Sequence, residues 1–319
     1  MHPLRLAPLL PAHIMAPLAL SLDRRRKARV EPLLAANGSM VDVVRQALTR
    51  CKQGPDPHSE RLIKQYSHIL LEELRNSEPG GVDHFAIALD QAVRSRRPEI
   101  MDWSGVPLKY KQLEMKWLDQ FNVRMGSYAS FAAHVRTAVA GLKQARIYDL
   151  AAGSGGLMRY MAAHPAPGTA LDLTASDLHP AYVATGQELA TAAQLPVRFE
   201  CRDALQLHDL KGHVELFVCT QSGHHLDSGA LVAMIAQAID VAPRGLVFID
   251  LLRSLGNVAA AALATGLSCA VPTMQWDGMQ SVRRSYTPAE LQLLARLAGA
   301  QQVDVQVQRP AFVVLRASR

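Results

Sequence analysis

The sequence predicts an α/β fold: a doubly wound sheet of seven strands that ends in an antiparallel hairpin and follows an all-helical amino-terminal extension. Residues 145–157 have the pattern of a strand, a turn of small residues and a helix. From residue 146 onward, short apolar runs alternate with helical patterns, which is typical of a parallel sheet covered by helices. Between residues 28 and 143, apolar side chains recur only at helical spacing.

The central stretch begins with a short apolar run, Ile147 to Leu150, that indicates a buried strand. Small residues follow as far as Gly156, and a helical pattern starts at Leu157. Glycine tolerates the positive φ and the close backbone approach that a tight turn needs. A strand, a small-residue turn and a helix N-terminus together present backbone N–H groups to a ligand.

Seven strands are predicted, and the last two are separated only by Gln308, Arg309 and Pro310. Because so short a connection cannot cross over a sheet, these two strands must form an antiparallel hairpin. Helices are predicted to start near Gly155, Pro180, Ser228 and Pro288, where turn or capping residues precede apolar periodicity. The predicted strands are 146–150, 170–176, 197–201, 214–219, 245–251, 302–307 and 311–317.

The chain divides into a flexible tail at 1–27, a helical cap domain at 28–143 and a sheet-containing domain at 144–319. The cap helices carry wide apolar stripes, which must be buried somewhere. We expect them to form a lid above the carboxyl edge of the sheet, with a homodimer contact as a further use. The alternative is a helical domain that packs elsewhere or only mediates association.

Composition restricts the function. The net charge is +6, and only 5% of the residues are aromatic, which argues against a stacking platform for single-stranded nucleic acid. The four cysteines form no Cys-x-x-Cys pair, so a reducing, cytoplasmic location is expected. No apolar run reaches the ~20 residues that a membrane helix needs, and no membrane partner is predicted.

A second acid follows the second predicted strand, since Asp177 closes the run that starts at Ala170. An acid at this position can accept hydrogen bonds from ribose hydroxyls. The fingerprint of dinucleotide-binding proteins needs glycine or alanine at its sixth position, where this chain has Met158. The pattern therefore favours a different adenosine cofactor over NAD.

These motifs resemble those of the class I S-adenosylmethionine-dependent methyltransferases, which have a Rossmann-like sheet. Their acid-x-Gly-x-Gly-x-Gly signature stands here as Asp149-Leu-Ala151-Ala-Gly153-Ser-Gly155, with Ala151 in place of the first glycine. An alanine fits this turn if its φ is negative. The resemblance covers about residues 120–317.

The resemblance implies S-adenosyl-L-methionine as cofactor and S-adenosyl-L-homocysteine as product. Asp177 would hold the ribose, Leu178 would lie against adenine, and Asp203 with Ala204 would contact the adenine edge. For Asp203 the alternative is a turn cap. The implied cofactor-binding residues are Asp149, Ala151, Gly153, Ser154, Gly155, Asp177, Leu178, Asp203, Ala204, Thr220 and Gln221.

The loop after the fourth strand, residues 220–225, carries the candidate catalytic residues His224 and His225. It lacks the Asn/Asp-Pro-Pro-aromatic motif of enzymes that methylate exocyclic amino groups, so a small-molecule acceptor and O-methylation are favoured. Imidazole titrates near neutrality and suits a general base. The alternative is that both histidines are structural. No cluster of Asp, Glu or His accompanies them in the sequence, so no metal site is predicted.

Two further stretches, 248–254 and 277–291, resemble bacterial methyltransferases of quinones and natural products. They suggest Arg253 and Arg283 as substrate residues, and Tyr128 is a third candidate from the cap helices. An ion pair between Asp250 and one of the arginines is an equal alternative. Two other functions stay open: methylation of rRNA or tRNA, and cofactor binding by a regulatory protein without turnover.

Overall fold

The computed structural model describes residues 12–77, 83–268, 272–308 and 311–319. Its centre is a sheet of seven strands in the order β3-β2-β1-β4-β5-β7-β6. The strands are β1 (Gln144–Asp149), β2 (Ala170–Asp177), β3 (Val197–Cys201), β4 (Leu216–Thr220), β5 (Leu246–Leu251), β6 (Gln302–Gln308) and β7 (Phe312–Ser318).

Strands β1 to β5 run parallel, whereas β7 pairs antiparallel with both β5 and β6. This confirms the predicted fold class, including the carboxy-terminal hairpin. The carboxyl ends of β1 and β4 are adjacent because these two strands pair directly, with Asp149 opposite Val218. From β1 the sheet continues to β2 and β3 on one side, and from β4 to β5 on the other. Open α/β sheets bind ligands in the crevice at the point where the strand order reverses in this way, here between β1 and β4.

Helices surround the sheet, and α10 and α11, which follow β5, were not predicted from the sequence. The helices before the sheet are α1 (Ala12–Ala36), α2 (Gly38–Cys51), α3 (Pro57–Asn76), α4 (Asp83–Val93), α5 (Leu108–Arg124) and α6 (Ser127–Ala138). Those after β1 are α7 (Gly156–Ala163), α8 (Pro180–Ala192), α9 (Ser228–Val241), α10 (Leu255–Ser268), α11 (Pro272–Arg284) and α12 (Pro288–Leu297). In the described part of the chain, no helix is long and apolar enough to span a membrane.

Each face of the sheet has its own apolar core. On one face, sheet residues such as Phe217 and Phe248 pack with α9 and α12. On the other, Ile147 and Val218 pack with α6 and α7. The alternation of side chains along each strand supplies both cores, because neighbouring residues point to opposite faces.

The prediction of a flexible tail over residues 1–27 is wrong for residues 12–27, which belong to α1. Leu22 is only 3% exposed, and the buried carboxylate of Asp23 accepts a hydrogen bond from the Ala289 N–H at 2.9 Å. The basic run at 24–27 looks like a solvated tail in sequence, but Arg26 is buried and donates to Asp90. Residues 1–11 lie outside the described part.

The helices of the predicted cap domain, 28–143, lie in two different places, and their role as a lid stays a prediction. Apolar residues of α1, α2 and α3, including Val44 and Leu70, join the core of α9 and α12 and so form an outer layer on one side of the sheet. Their apolar stripes are buried, as expected, but against helices. Helix α5 lies beside the loop after β1. The end of the Met115 side chain is 3.9 Å from the point where a Cβ on Gly153 would lie. The dimer contact stays a prediction.

Candidate functional site

The loop after β1 contains three residues with positive φ: Ala151 at 49°, Gly153 at 57° and Gly155 at 69°. Glycine is required at position 155, because a Cβ there would lie 2.6 Å from the Phe199 ring and 2.9 Å from the Ala175 side chain. Ala151 does not have the negative φ that would make it an easy replacement for glycine. Its backbone is therefore strained, since the left-handed region costs an L-residue about 1–2 kcal/mol.

Asp177 holds this loop at the end of β2. Its Oδ2 accepts a hydrogen bond from the Gly153 N–H, and its Oδ1 accepts one from the His179 N–H, each at 2.9 Å. The sequence-predicted acid and the glycine turn are thus in direct contact. This places a carboxylate beside the loop after β1, where an adenosine ribose would lie in such folds.

Asp149 is almost completely buried beneath the same loop, and its Oδ1 has no hydrogen-bond partner among the described residues. Burial, and secondarily the negative charge of Asp177, raises the pKa of Asp149 well above its ordinary value. A protonated carboxyl avoids the cost of a buried unpaired charge. Burial thus favours the protonated form of Asp149, the acid that precedes the loop.

The predicted adenine contacts lie on the adjacent loops. Leu178 is 60% exposed directly after Asp177, so its apolar side chain is open to a flat ring. Asp203 caps its own turn, because its Oδ1 accepts from the Leu205 N–H at 2.9 Å. The turn-cap alternative is thus present in the structure. Ala204, next to it, is half-buried.

The loop after β4 joins the loop after β1. The Ser222 hydroxyl donates to the Ala151 carbonyl at 2.6 Å, and Gln221, with φ of 55°, receives a hydrogen bond from Asn122 of α5 at 2.8 Å. Thr220 ends β4 and is half-buried. These contacts bring the predicted residues Thr220 and Gln221 to the same crevice as Gly153.

Helix α5 is also anchored to the start of α7. Asp119 pairs with Arg159 at 2.5 Å, and it accepts a hydrogen bond from the Tyr128 hydroxyl at 2.6 Å. Ser154 lies 3.4 Å from the same carboxylate. Tyr128 is buried with its hydroxyl engaged, so the substrate role predicted for it does not fit the structure. It supports the α5–α7 junction instead.

His224 is buried between two carboxylates. Its Nδ1 is 2.8 Å from Asp250 Oδ1, and its Nε2 is 3.2 Å from Glu99 Oε1. Burial alone would lower the pKa of His224, but Asp250 and Glu99 outweigh it and raise the pKa to about 10. The ring is charged at neutral pH and has no nitrogen free to accept a proton. The role of general base predicted for His224 therefore does not fit.

His225 is more accessible, with its side chain 35% exposed. Its Nδ1 lies 3.1 Å from Asp102 Oδ1, which orients the ring and leaves Nε2 on the side of Glu99, 3.7 Å from Oε2. One nitrogen of His225 is thus oriented by a carboxylate, as in a base and its orienting group, and the other is beyond hydrogen-bond distance of Glu99.

The fold does bring an acidic residue to the histidine pair, because Glu99 lies beside both rings, which the sequence did not predict. Ligand atoms of Glu99, His224 and His225 lie within 4.8 Å of one another, a separation that could hold a metal ion. Protein groups already engage this carboxylate, since Ser281 donates to Glu99 at 2.9 Å beside His224. The contacts explain the cluster as an ion-pair network.

The two substrate arginines differ in environment. Arg253 is buried and engages both Glu290, at 2.6 Å, and Asp90, at 3.0 Å. Its predicted substrate role does not fit, and the ion pair joins α4 to α12 instead of involving Asp250. Arg283 is half-buried, and its Nε donates to the Val93 carbonyl at 2.8 Å.

Sequence reasoning missed Glu99, Asp102, Asp119 and Asn122, which all contact predicted site residues. The first two lie in a short 3-10 turn region that follows Arg97-Pro98, a segment read only as a linker. Asp119 and Asn122 lie on α5, whose apolar pattern was the only signal used. No motif marks any of these four residues.

Comparisons with known proteins agree with this description. Residues 147–245 match the family model described as a methyltransferase domain. Among solved structures, a SAM dependent methyltransferase from Aquifex aeolicus is 17% identical over 58% of this chain and 88% of its own, with a TM-score of 0.42. Magnesium protoporphyrin IX methyltransferase from Synechocystis PCC 6803 with bound SAH is 16% identical over 79% and 99%, with a TM-score of 0.43.

The plantazolicin methyltransferase in complex with SAH is 12% identical over 81% of this chain and 100% of its own, with a TM-score of 0.48. No curated protein matches the sequence. Because these identities and TM-scores are low, the assignment rests on the family match and on the strand order. Residues 147–245 match a methyltransferase domain, and the sheet that contains them has the seven strands and the antiparallel carboxy-terminal hairpin expected from the resemblance to class I S-adenosylmethionine-dependent methyltransferases.

Proposed function

We propose that this chain transfers the methyl group of S-adenosylmethionine to an oxygen of a small-molecule acceptor. The observation that carries the proposal is the contact between Asp177 and the positive-φ loop at Gly153, which reproduces the expected ribose acid and turn in one place. The family match over 147–245 supports the reaction class.

In this proposal the cofactor lies in the crevice between the loops after β1, β2 and β4. Asp177 holds the ribose, Leu178 covers one side of the adenine, and Asp203 with Ala204 contacts the adenine edge. Asp203 has one oxygen engaged by its own turn, so the other is the one that can accept from the amino group. Gln221 and Thr220 border the reactive end of the crevice.

The bound cofactor supplies an already activated methyl group, so the protein's main task is to place an acceptor oxygen in line with it. Orientation of this kind supplies about 7–11 kcal/mol of the barrier. The acceptor oxygen forms its bond to carbon as the carbon–sulfur bond breaks, and the hydroxyl proton must leave. His225 is the group that we assign to take this proton, with Asp102 stabilising the charged ring.

His224 acts by position in this proposal. Its backbone N–H donates to Asp250 Oδ2 at 2.8 Å, and its ring bridges to Glu99, so it fixes the loop that carries His225. Two functions compete with this proposal: methylation of a nucleic acid, and cofactor binding by a regulatory protein without turnover. Neither is favoured by a contact at this site.

Two measurements separate these functions. Calorimetry with S-adenosylhomocysteine should show binding to the full chain, whereas NAD should not bind. The protein is then incubated with methyl-labelled cofactor and with separate small-molecule and RNA fractions of a cell extract. Label in the small-molecule fraction supports the proposal, label in RNA supports the nucleic-acid alternative, and binding without transfer to either supports the regulatory one.

A further inference from the structure

A cavity of about 740 Å³ lies beside the loop after β4. Its wall is formed by α3, by the segment that follows α4, by the end of α11 and by the loop from His224 to Ser228. His225 is part of this wall. The cavity therefore borders the residue that we assign as base, on the side of the amino-terminal helices.

The wall is strongly basic. Eight arginine and lysine residues line the cavity, against one carboxylate, Asp227, which pairs with Lys64 at 2.8 Å. Positive charges in a cleft with low-dielectric walls reinforce one another and attract anions. A surplus of cations inside a protein is costly unless something compensates it.

The carboxylates behind the wall do not compensate the arginines fully. Glu72 Oε1 is shared by Arg75, Arg94 and Arg96, at 2.8, 3.1 and 3.5 Å. Glu290 is likewise shared by Arg75 and Arg253. Arg253 also pairs with Asp90, which Arg26 shares, so five arginines face three carboxylates in this network.

Arg94 shows the result of this crowding. Its Nε is buried and has no hydrogen-bond partner among the described residues. Burial, followed by the positive charges of Arg75 and Arg253, keeps the pKa of Arg94 below its usual value. An anion bound in the cavity would neutralise part of this surplus positive charge.

Two wall arginines have no carboxylate partner in the described part of the chain. Arg283 Nε donates to the Val93 carbonyl, so the two terminal nitrogens of Arg283 are available to donate to a ligand. Arg61 is exposed on α3 across the cavity. A guanidinium binds a carboxylate or phosphate through two parallel N–H groups, so both residues suit an oxyanion.

Apolar side chains complete the wall, among them Leu71, Leu226 and Tyr286. The cavity thus combines guanidinium groups with an apolar surface, which fits a molecule that has an apolar body and an oxyanion. We propose that the basic cavity binds the anionic group, a carboxylate or a phosphate, of the methyl acceptor. This inference rests on the proposed function, because it assigns an acceptor to the same site.

The test uses the full chain with benzoate and phenyl phosphate as probes, titrated by calorimetry at low ionic strength. We expect at least one probe to bind the wild-type protein. Arg283→Gln and, separately, Arg61→Gln should weaken that binding about tenfold or more, the usual effect of losing a charged hydrogen bond. The relative affinity of the two probes distinguishes a carboxylate from a phosphate ligand.

The matched control is Arg45→Gln, which removes the same charge from an exposed site on α2 that does not line the cavity. Its effect on probe affinity should stay below about twofold. Binding of S-adenosylhomocysteine is measured in all three variants and should not change. Thermal unfolding of each variant shows whether it is folded.

The proposal is overturned if neither probe binds the wild-type chain, or if Arg45→Gln weakens binding as much as the two cavity variants. Failure of the proposed methyltransferase function would give a different experimental result. If S-adenosylhomocysteine does not bind the wild-type chain, the methyltransferase proposal fails, and with it the acceptor role, even when the probes bind. If the cofactor product binds and the probes do not, only the anion inference fails.

Discussion

The hydroxyl of Ser222 donates to the carbonyl of Ala151 at 2.6 Å, which ties together two loops that are 71 residues apart in the chain. One loop follows β1 and presents the positive-φ turn, and the other follows β4 and carries His225. The carbonyl of a strained residue is thus fixed by a side chain of the neighbouring loop. In the proposed function, this contact couples the position of the cofactor to that of the acceptor through the backbone.

Asp177→Ala is expected to weaken binding of S-adenosylhomocysteine by about tenfold to a hundredfold, because charged hydrogen bonds contribute roughly 1.5–3 kcal/mol each. Calorimetry measures the affinity. The control is Asp172→Ala on the same strand, whose carboxylate pairs with Arg198 at 2.8 Å, far from the crevice end of β2. Equal losses in both variants would show that the effect comes from the strand and not from the site.

Ala151→Gly should raise the free energy of unfolding by up to about 1 kcal/mol, because glycine adopts positive φ without strain. Urea unfolding followed by circular dichroism measures the change. Ala152→Gly is the control: its φ is not positive, so it should lose stability. A destabilised Ala151→Gly protein would mean that the alanine methyl contributes packing that outweighs its strain.

His224→Gln should destabilise the protein by roughly 3–5 kcal/mol at pH 6.5, since it leaves the buried carboxylate of Asp250 without a cation and removes the nearest one from Glu99. The pKa of His224 is raised to about 10 in the folded state. Its contribution is therefore fully present below pH ~6.5 and is lost as pH rises toward 10, by at most about 1.4 kcal/mol per unit.

Urea unfolding at pH 6.5, 8 and 9.5 should accordingly show the difference between wild type and His224→Gln shrinking with pH. His58→Gln, on the exposed side of α3, serves as control and should show no such trend. A difference that is constant across the three pH values would mean that His224 is neutral in the folded protein, which would restore it as a candidate base.

Leu70→Ala is expected to cost about 2–5 kcal/mol of unfolding free energy without affecting cofactor binding, because Leu70 is fully buried in the outer layer of α1–α3 against α9 and α12. Ile69→Ala, at a neighbouring position that is 38% exposed, should cost much less. If Leu70→Ala kept its stability but lost turnover, α3 would act as a lid after all.

The sheet could be predicted from the sequence because its signals are local. Apolar runs end at Asp149 and Asp177, glycines mark the turn between them, and the short connection near Gln308 allows only a hairpin. Parallel pairing then places the carboxyl ends of β1 and β2 next to each other, so no further sequence signal is needed to predict that they meet. The contact between Asp177 and Gly153 is a consequence of that pairing.

The network around His224 could not be predicted, because its partners are distant in the chain. Glu99 and Asp250 meet the ring from a segment before the sheet and from β5, and neither lies in a recognisable motif with it. Arg253 was misread for the same reason: its partner Glu290 lies in a helix cap whose sequence signals only a helix start. Burial and charge pairing at such distances follow from tertiary packing.

The contact between Asp23 and the Ala289 N–H joins residues that are 266 positions apart. Ribosomes add roughly 5–20 residues per second, so α1 emerges some 13–50 s before the start of α12 exists. During that interval the apolar stripes of α1 to α3 have no native surface to cover. Helices α1 to α3 thus leave the ribosome well before they can pack, and they are a part of the nascent chain that needs protection from aggregation.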